Sequence, residues 1–385
     1  MFLDQLSIGI VGYGEFAEFC HKAWKTLGDV RVSAAADLNV DRIPADLAAY
    51  GDWKELIQAP DVDIVAIGTP PSTHSAMAIA ALEAGKNVFV EKPPAMTAQD
   101  ANRLLEAVES TGKLCSVDYM LRYNPIVEAL KAIGDSGVLG KLQHVSVSNY
   151  AYDGKLPPEH WFWDKAKSGG ILVEHAVHFF DVVTFVSSGK PVRMTAHGVS
   201  RQTGMEDKVA ATVEYDDGLI ATHYHHFFRP WWFERQTFRF AYDMGEVDVE
   251  GWIPTTAKLR AVTTEGGLST LRNIFPSADV KEEPLDLKHI AGDITYSHDA
   301  STIVGEISAG GSSYRGDRMV HLAYGADKSK IDIYEDCVRA SMRDLAECVR
   351  NPGRLPCTAI QNSIDSIRIA AAGAQIIDDK RSIEI

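Results

Sequence analysis

The strand Leu6-Ser7-Ile8-Gly9-Ile10-Val11 runs directly into Gly12-Tyr13-Gly14-Glu15-Phe16-Ala17, and apolar residues at helical spacing follow over 16–27. A G-x-G-x-x-A turn between a strand and a helix leaves such a segment few ways to fold. Gly12 permits the tight turn, Gly14 lets the backbone approach a pyrophosphate, and Ala17 allows close helix–strand packing. The helix N-terminus then offers free N–H groups to phosphate oxygens. A second strand over 30–36 ends in Asp37, 20 residues beyond Ala17 (37 − 17). At that spacing a carboxylate accepts hydrogen bonds from the adenosine ribose hydroxyls of a dinucleotide. A carboxylate there repels the 2′-phosphate of NADP, so NAD is favoured, with Arg42 close by keeping NADP as the second choice.

The strand–helix alternation continues. An apolar strand over 63–67 meets the loop Gly68-Thr69-Pro70-Pro71, and Ser72 or Thr73 is placed to cap a helix reaching Ala84, with Gly85 after it. The strand Asn87-Val88-Phe89-Val90 ends in Glu91-Lys92-Pro93, followed by a helix over 98–110 and a strand over 114–120. This is a doubly wound α/β domain over residues 1–122, and ligands sit at the carboxyl edge of such a sheet, where Lys92 is expected. The chain has 385 residues, too many for one ordinary core, so a second domain over 123–385 is expected.

Composition excludes some partners. The net charge of −15 argues against nucleic acid and anionic membranes. The five cysteines form no C-x-x-C pair, which fits reduced thiols in a cytoplasmic protein. Residues 1–5 lead straight into a strand, so no signal peptide is expected, and no apolar run is expected to reach the length of a membrane span.

Several motifs occur together and in order: Gly9-Ile10-Val11-Gly12-Tyr13-Gly14, Asp37, Gly68-Thr69-Pro70-Pro71-Ser72-Thr73-His74, Glu91-Lys92-Pro93, and Ser168-Gly169-Gly170 leading to Glu174-His175-Ala176-Val177-His178. Together they resemble the glucose–fructose oxidoreductase / inositol dehydrogenase / rhizopine-catabolism (Gfo/Idh/MocA) family. The resemblance covers residues 6–185 closely and the remainder only generally. It implies an N-terminal Rossmann domain and a C-terminal α/β domain with a large, open, mostly antiparallel sheet that often mediates oligomer contacts, hence a homodimer or homotetramer. It also implies a carbohydrate or cyclitol substrate. The expected cofactor contacts are Gly12, Tyr13, Gly14, Glu15, Phe16, Asp37, Thr69, Pro70, His74, Glu91 and Lys92. Where this chain has Glu174, many members have aspartate.

The reactive residues also make sense on their own. Glu174 and His178 stand at i, i+4 on a helix and share a face, among apolar neighbours. Buried ionisable groups need partners, and a lysine from the other domain would serve. His178 is expected as the general base for a secondary hydroxyl, since imidazole titrates near neutrality. Lys92 would donate to the reacting oxygen, and Glu174 would orient the histidine or the lysine. His175 and Trp161 are expected to line the substrate, Tyr123 to reach the cleft, and Asp181 to be structural. The neighbours His223, His225 and His226 raise the question of a metal; without a spaced carboxylate or cysteine partner, substrate lining is preferred and no metal is expected. Residues 253–317 read as irregular strands and loops, with helices over 331–350 and 358–377.

The expected activity is NAD-dependent hydride transfer with a sugar or cyclitol. Two rivals fit the same residues: an NAD-dependent glycosidase working by transient oxidation, with no net NADH formed, and a non-catalytic NAD-binding regulatory protein, which would not need the Lys92–Glu174–His178 set.

Overall fold

The computed structural model describes residues 5–187, 189–202, 205–285, 306–309 and 311–380. Six parallel strands form the first sheet: β1 (Leu6–Val11), β2 (Val30–Ala36), β3 (Ala48–Tyr50), β4 (Ile64–Ile67), β5 (Asn87–Val90) and β6 (Cys115–Val117), in the order β3-β2-β1-β4-β5-β6. The order reverses between β1 and β4, so the crevice at their carboxyl ends is the natural ligand site. Helices α1 (Glu15–Trp24), α2 (Trp53–Gln58), α3 (Pro71–Glu83) and α4 (Ala98–Thr111) connect the strands. Because both faces are covered, β4 and β5 read as nearly continuous apolar runs.

Two local expectations are corrected. Neither Ser72 nor Thr73 caps α3. The helix begins at Pro71, whose fixed φ suits the first position, and the Thr73 hydroxyl donates to the Pro70 carbonyl at 2.9 Å instead. The strand expected over 114–120 stops at Val117, and a 3-10 turn, Met120–Tyr123, carries the chain out of the sheet. Asn124 then caps α5 (Pro125–Ser136), accepting from the Ile126 N–H at 2.9 Å, with proline again in the first turn.

The second sheet has nine strands: β7 (Leu142–Tyr152), β8 (Pro191–Gln202), β9 (Met205–Tyr215), β10 (Ile220–Arg229), β11 (Arg235–Tyr242), β12 (Gly245–Glu250), β13 (Thr256–Thr263), β14 (Asp279–Pro284) and β17 (Arg318–Gly325); β15 (Glu306–Ala309) and β16 (Ser312–Arg315) form a separate hairpin. Every pair in the large sheet is antiparallel except β7 with β10. Alternation in β7 and β11 buries one residue in two, which presents a single face to the helices. Residues 253–317 are more regular than expected, for α8 (Glu265–Ile274) lies among them. Gly266 and Gly267 in its first turn hide it from propensity, but the Thr264 cap and the buried Leu268 and Leu271 override them. Residues 286–305 and 310 of that stretch lie outside the described residues.

Helices α6 (Lys165–Ser168) and α7 (Val177–Val186) flank a π-helical turn, Leu172–Ala176. The helical run Lys165–Val186 is long and apolar enough to cross a membrane, contrary to expectation, but most of it is buried within the fold. Its far end is anchored by one ion pair. Arg122 donates to Asp181 through Nε at 2.8 Å and Nη2 at 2.7 Å, and to the carbonyls of Cys357 and Asn362 at 2.8 and 3.1 Å. The Ser366 hydroxyl donates to Asp181 at 3.0 Å. Both partners are almost wholly buried. Helix α9 (Lys330–Arg350) returns to the first sheet, where Val338, Met342 and Leu345 share a core with Ile8, Ile10 and Trp24. Helix α10 (Ile360–Asp378) packs along β8 and α7.

Asp181→Ala should cost about 3–5 kcal/mol in urea unfolding, because it leaves a buried guanidinium unpaired. The double replacement Arg122→Met with Asp181→Leu should recover most of that loss, since it removes both charges; equal damage from the double variant would contradict this account.

Candidate functional site

The β1–α1 turn is built to face an anion. Gly12 has φ +84°, and a Cβ there would sit 2.7 Å from Thr69 Cγ2 and 3.1 Å from the Gly68 carbonyl. At Gly14 nothing lies within 4 Å of a Cβ position, so the space before α1 is open, and no side chain caps the helix N-terminus. Ala17 is buried against the β4 loop, as close packing requires. Asp37 closes the far side. Its Oδ2 accepts from the Tyr13 N–H and its Oδ1 from the Asn39 N–H, both at 2.8 Å. A carboxylate accepts about four hydrogen bonds, so capacity remains for a ribose diol. The Tyr13 ring is buried, with its hydroxyl 2.7 Å from His21 Nδ1. Glu15 and Pro70 are exposed beside the turn. His74 ties the two loops at the sheet edge, with ring nitrogens 2.8 Å from the Pro93 carbonyl and 2.5 Å from that of Thr69.

Next to this turn opens a cavity of about 390 Å³, lined by Phe16, Thr69, His74, Glu91, Lys92, Trp161, Glu174, His175 and His178 among the residues singled out in the sequence. The Lys92 Nζ donates to Glu174 Oε1 at 2.7 Å and to the Glu174 carbonyl at 2.8 Å. The π-helical turn at Leu172–Ala176 presents both oxygens of that residue to the lysine. Gly169, at φ +80°, turns the chain into this segment; a Cβ there would lie 2.6 Å from Val173 Cγ1. Glu174 thus meets Lys92 rather than His178. An ammonium has three donors, and two are committed to Glu174.

The histidines here are neutral. Burial, then the Lys92 charge, then His175 hold His178 well below its ordinary range, and burial with the Lys92 charge pushes His175 down to about 3. His178 Nδ1 has no partner among the described residues, and its ring meets Tyr119 edge-on at 6.3 Å. Beside Lys92 the carboxyls of Glu91 and Asp118 meet. Burial raises both, the Asp118 charge adds to the rise at Glu91, and Asp118 stands at about 6.

Two expectations fail. Tyr123 does not reach the cleft: its hydroxyl donates to Asp344 Oδ2 at 2.8 Å, which packs the junction against α9. His223 and His225 share a face but do not line the cavity, because strand alternation sets them under α7, against Phe180 at 4.5 Å and Phe179 at 4.9 Å. Sequence reasoning also passed over Asp118, Asn149, Glu234, Gln236, Trp252 and Tyr334, all of which line the cavity. Asn149 did leave a signal: it is a polar residue at an apolar position of the alternating strand, after Val145 and Val147.

Acid should destabilise the fold. Burial lowers His175, His178, His223 and His225, so below about pH 6.5 the unfolded chain takes up protons that the folded chain refuses. Glu91 and Asp118, raised by burial, oppose this because the folded state holds their protons. The histidines outnumber them, so stability should fall from pH 6.5 toward 4.5, by about 1.4 kcal/mol per pH unit for each net proton. Urea unfolding across that range checks this; a flat profile would contradict neutral burial.

The description "Oxidoreductase family, NAD-binding Rossmann fold" matches residues 6–119, and "GFO/IDH/MocA C-terminal domain" matches residues 127–246. A 1-carboxy-3-chloro-3,4-dihydroxycyclohexa-1,5-diene dehydrogenase from Comamonas testosteroni is 29% identical over 226 residues, 56% of each chain. The scyllo-inositol 2-dehydrogenase (NAD(+)) of Bacillus subtilis is 31% identical over 173 residues, 43% of this chain and 49% of that one. The chain thus spans about half the length of the curated relatives it matches. The WlbA dehydrogenase from Bordetella pertussis, solved in complex with NADH and UDP-GlcNAcA, superposes with a TM-score of 0.75 over 99% of this chain and 97% of that one, at 15% identity, a likeness of fold alone. With both halves of the family pattern matched in order on the two sheets, this chain belongs to the Gfo/Idh/MocA family of NAD-binding oxidoreductases.

Proposed function

We propose that the chain is an NAD-dependent oxidoreductase that moves a hydride between nicotinamide and a secondary hydroxyl or keto carbon of a sugar or cyclitol. The observation that carries this reading is the Lys92 ammonium, held by Glu174 through two donors with a third left for a ligand in the cavity. The relative named as scyllo-inositol 2-dehydrogenase supports the substrate class.

The open turn at Gly12 to Phe16 would hold the pyrophosphate, Asp37 the adenosine ribose, and Thr69, Pro70, Glu91 and Lys92 the nicotinamide half, with His74 spacing the loops. When bound, NAD⁺ supplies the hydride acceptor. The protein handles the proton and the charge. Lys92 donates to the substrate oxygen and stabilises the negative charge that develops there. His178, kept neutral by burial, takes the hydroxyl proton. Glu174 fixes the lysine in place. Asp37 favours NAD over NADP, since a 2′-phosphate would face a carboxylate already engaged by two backbone N–H groups.

Lys92→Ala should lower kcat/KM by roughly 10²–10³, as loss of a single oxyanion donor does. His178→Ala should lower it by roughly 10²–10⁴. NADH binding, followed by its fluorescence, should change little in His178→Ala. Absorbance of NADH formed with inositols and aldoses checks this, and turnover undiminished in Lys92→Ala refutes the proposed chemistry. Asp37→Ser should narrow the preference for NAD over NADP by about tenfold, ~1.4 kcal/mol; an unchanged ratio would remove Asp37 from the cofactor site.

A further inference from the structure

Asn149 lies on the face of β7 where its neighbours Val147 and Ala151 are buried apolar residues. It lines the cavity, is fully buried, and neither its amide oxygen nor its amide nitrogen has a partner among the described residues. Buried amides are rarely left unmatched, so this one points to a ligand with both donor and acceptor groups. Strand register sets Gln236 of β11 directly opposite it. Gln236 also lines the cavity, is 6% exposed, and its Nε2 donates to Glu234 Oε1 at 3.3 Å. Asn149, Gln236 and Glu234 therefore form a polar wall on the large sheet, while Lys92 enters from the end of β5. A hydroxyl donates one hydrogen bond and accepts two, which suits such a wall.

Charge narrows the ligand further. Among the described lining residues, Lys92 is the one group with a fixed positive charge, and Glu174 neutralises it. Carboxyls of Glu91, Asp118 and Glu234 line the same space, and no arginine does. An anion entering this cavity would lose its hydration to meet those carboxyls and a single cation already paired with Glu174.

We infer that the cavity takes an uncharged polyhydroxylated ring, whose hydroxyls away from the reacting carbon bond to Asn149, Gln236 and Glu234, and that it excludes carboxylated and phosphorylated sugars. This rests on the reading of the cavity as the substrate site.

The test is calorimetric titration of the NAD-loaded full chain with two matched pairs: D-glucose against D-glucuronate, and myo-inositol against myo-inositol 1-phosphate. The neutral member of at least one pair should bind twentyfold tighter or more than its anionic partner, and Asn149→Ala should weaken it tenfold or more. Gln236→Arg should shift the preference toward the anionic member by tenfold or more, a gain that misfolding cannot mimic. Equal or tighter binding of the anions, no binding of either neutral ring, or an unmoved preference in Gln236→Arg overturns the inference. Neutral binding in this pattern without NADH formation would sink the proposed oxidation and leave the ligand class standing. NADH formed only from the anionic partners would do the reverse.

Discussion

A guanidinium and a carboxylate taken out of water at the junction of the two sheets decide where α7 can lie. Arg122 follows the last strand of the first sheet, and Asp181 stands three residues beyond His178 on α7. Every other alignment of that helix strands a buried charge, at a cost of several kcal/mol. A pair of this kind adds little over well-packed apolar residues, so its contribution is registry rather than net stability. The carbonyls of Cys357 and Asn362 and the hydroxyl of Ser366 complete the arrangement, which draws α10 into the same knot.

Registry at Asp181 has its effect two turns away. The π-helical turn at Leu172–Ala176 adds width where the helix passes the end of β5, and there Glu174 offers Lys92 both a carboxylate and a backbone carbonyl. Burial first, and then the charge of Lys92, keep the neighbouring imidazoles neutral. A cation with a free donor and an uncharged imidazole in one desolvated space is an electrostatic arrangement made before any ligand arrives.

The sequence disclosed those parts whose chemistry is local. The glycine turn, Asp37 and the strand ending at Lys92 each follow from a few consecutive residues. The large sheet showed itself through alternation over β7 to β12. What stayed hidden depends on contacts between distant segments. Tyr123 looked like a cleft residue because its partner Asp344 lies more than two hundred positions away. His223 and His225 looked like lining because nothing local says that Phe179 and Phe180 of α7 cover them. Asp118 beside Glu91, and Gln236 opposite Asn149, are neighbours only through strand order. The widened turn at Glu174 has no composition of its own, so ordinary helical spacing left both His178 and Lys92 open as partners of the glutamate, and the fold brings it to Lys92.

The return of α9 has a consequence for how such a chain can be cut or recombined. Trp24 and Cys20 of α1 bury themselves in a core that includes Val338, Met342 and Leu345, more than three hundred residues later. The Trp24 indole N–H also donates to the Val338 carbonyl at 3.3 Å. A fragment ending near residue 122 would carry the entire first sheet and still present an uncovered apolar helix face to solvent. The nucleotide-binding half is thus not a portable cassette: grafting it onto another substrate domain requires bringing the distant helix along or redesigning the surface of α1.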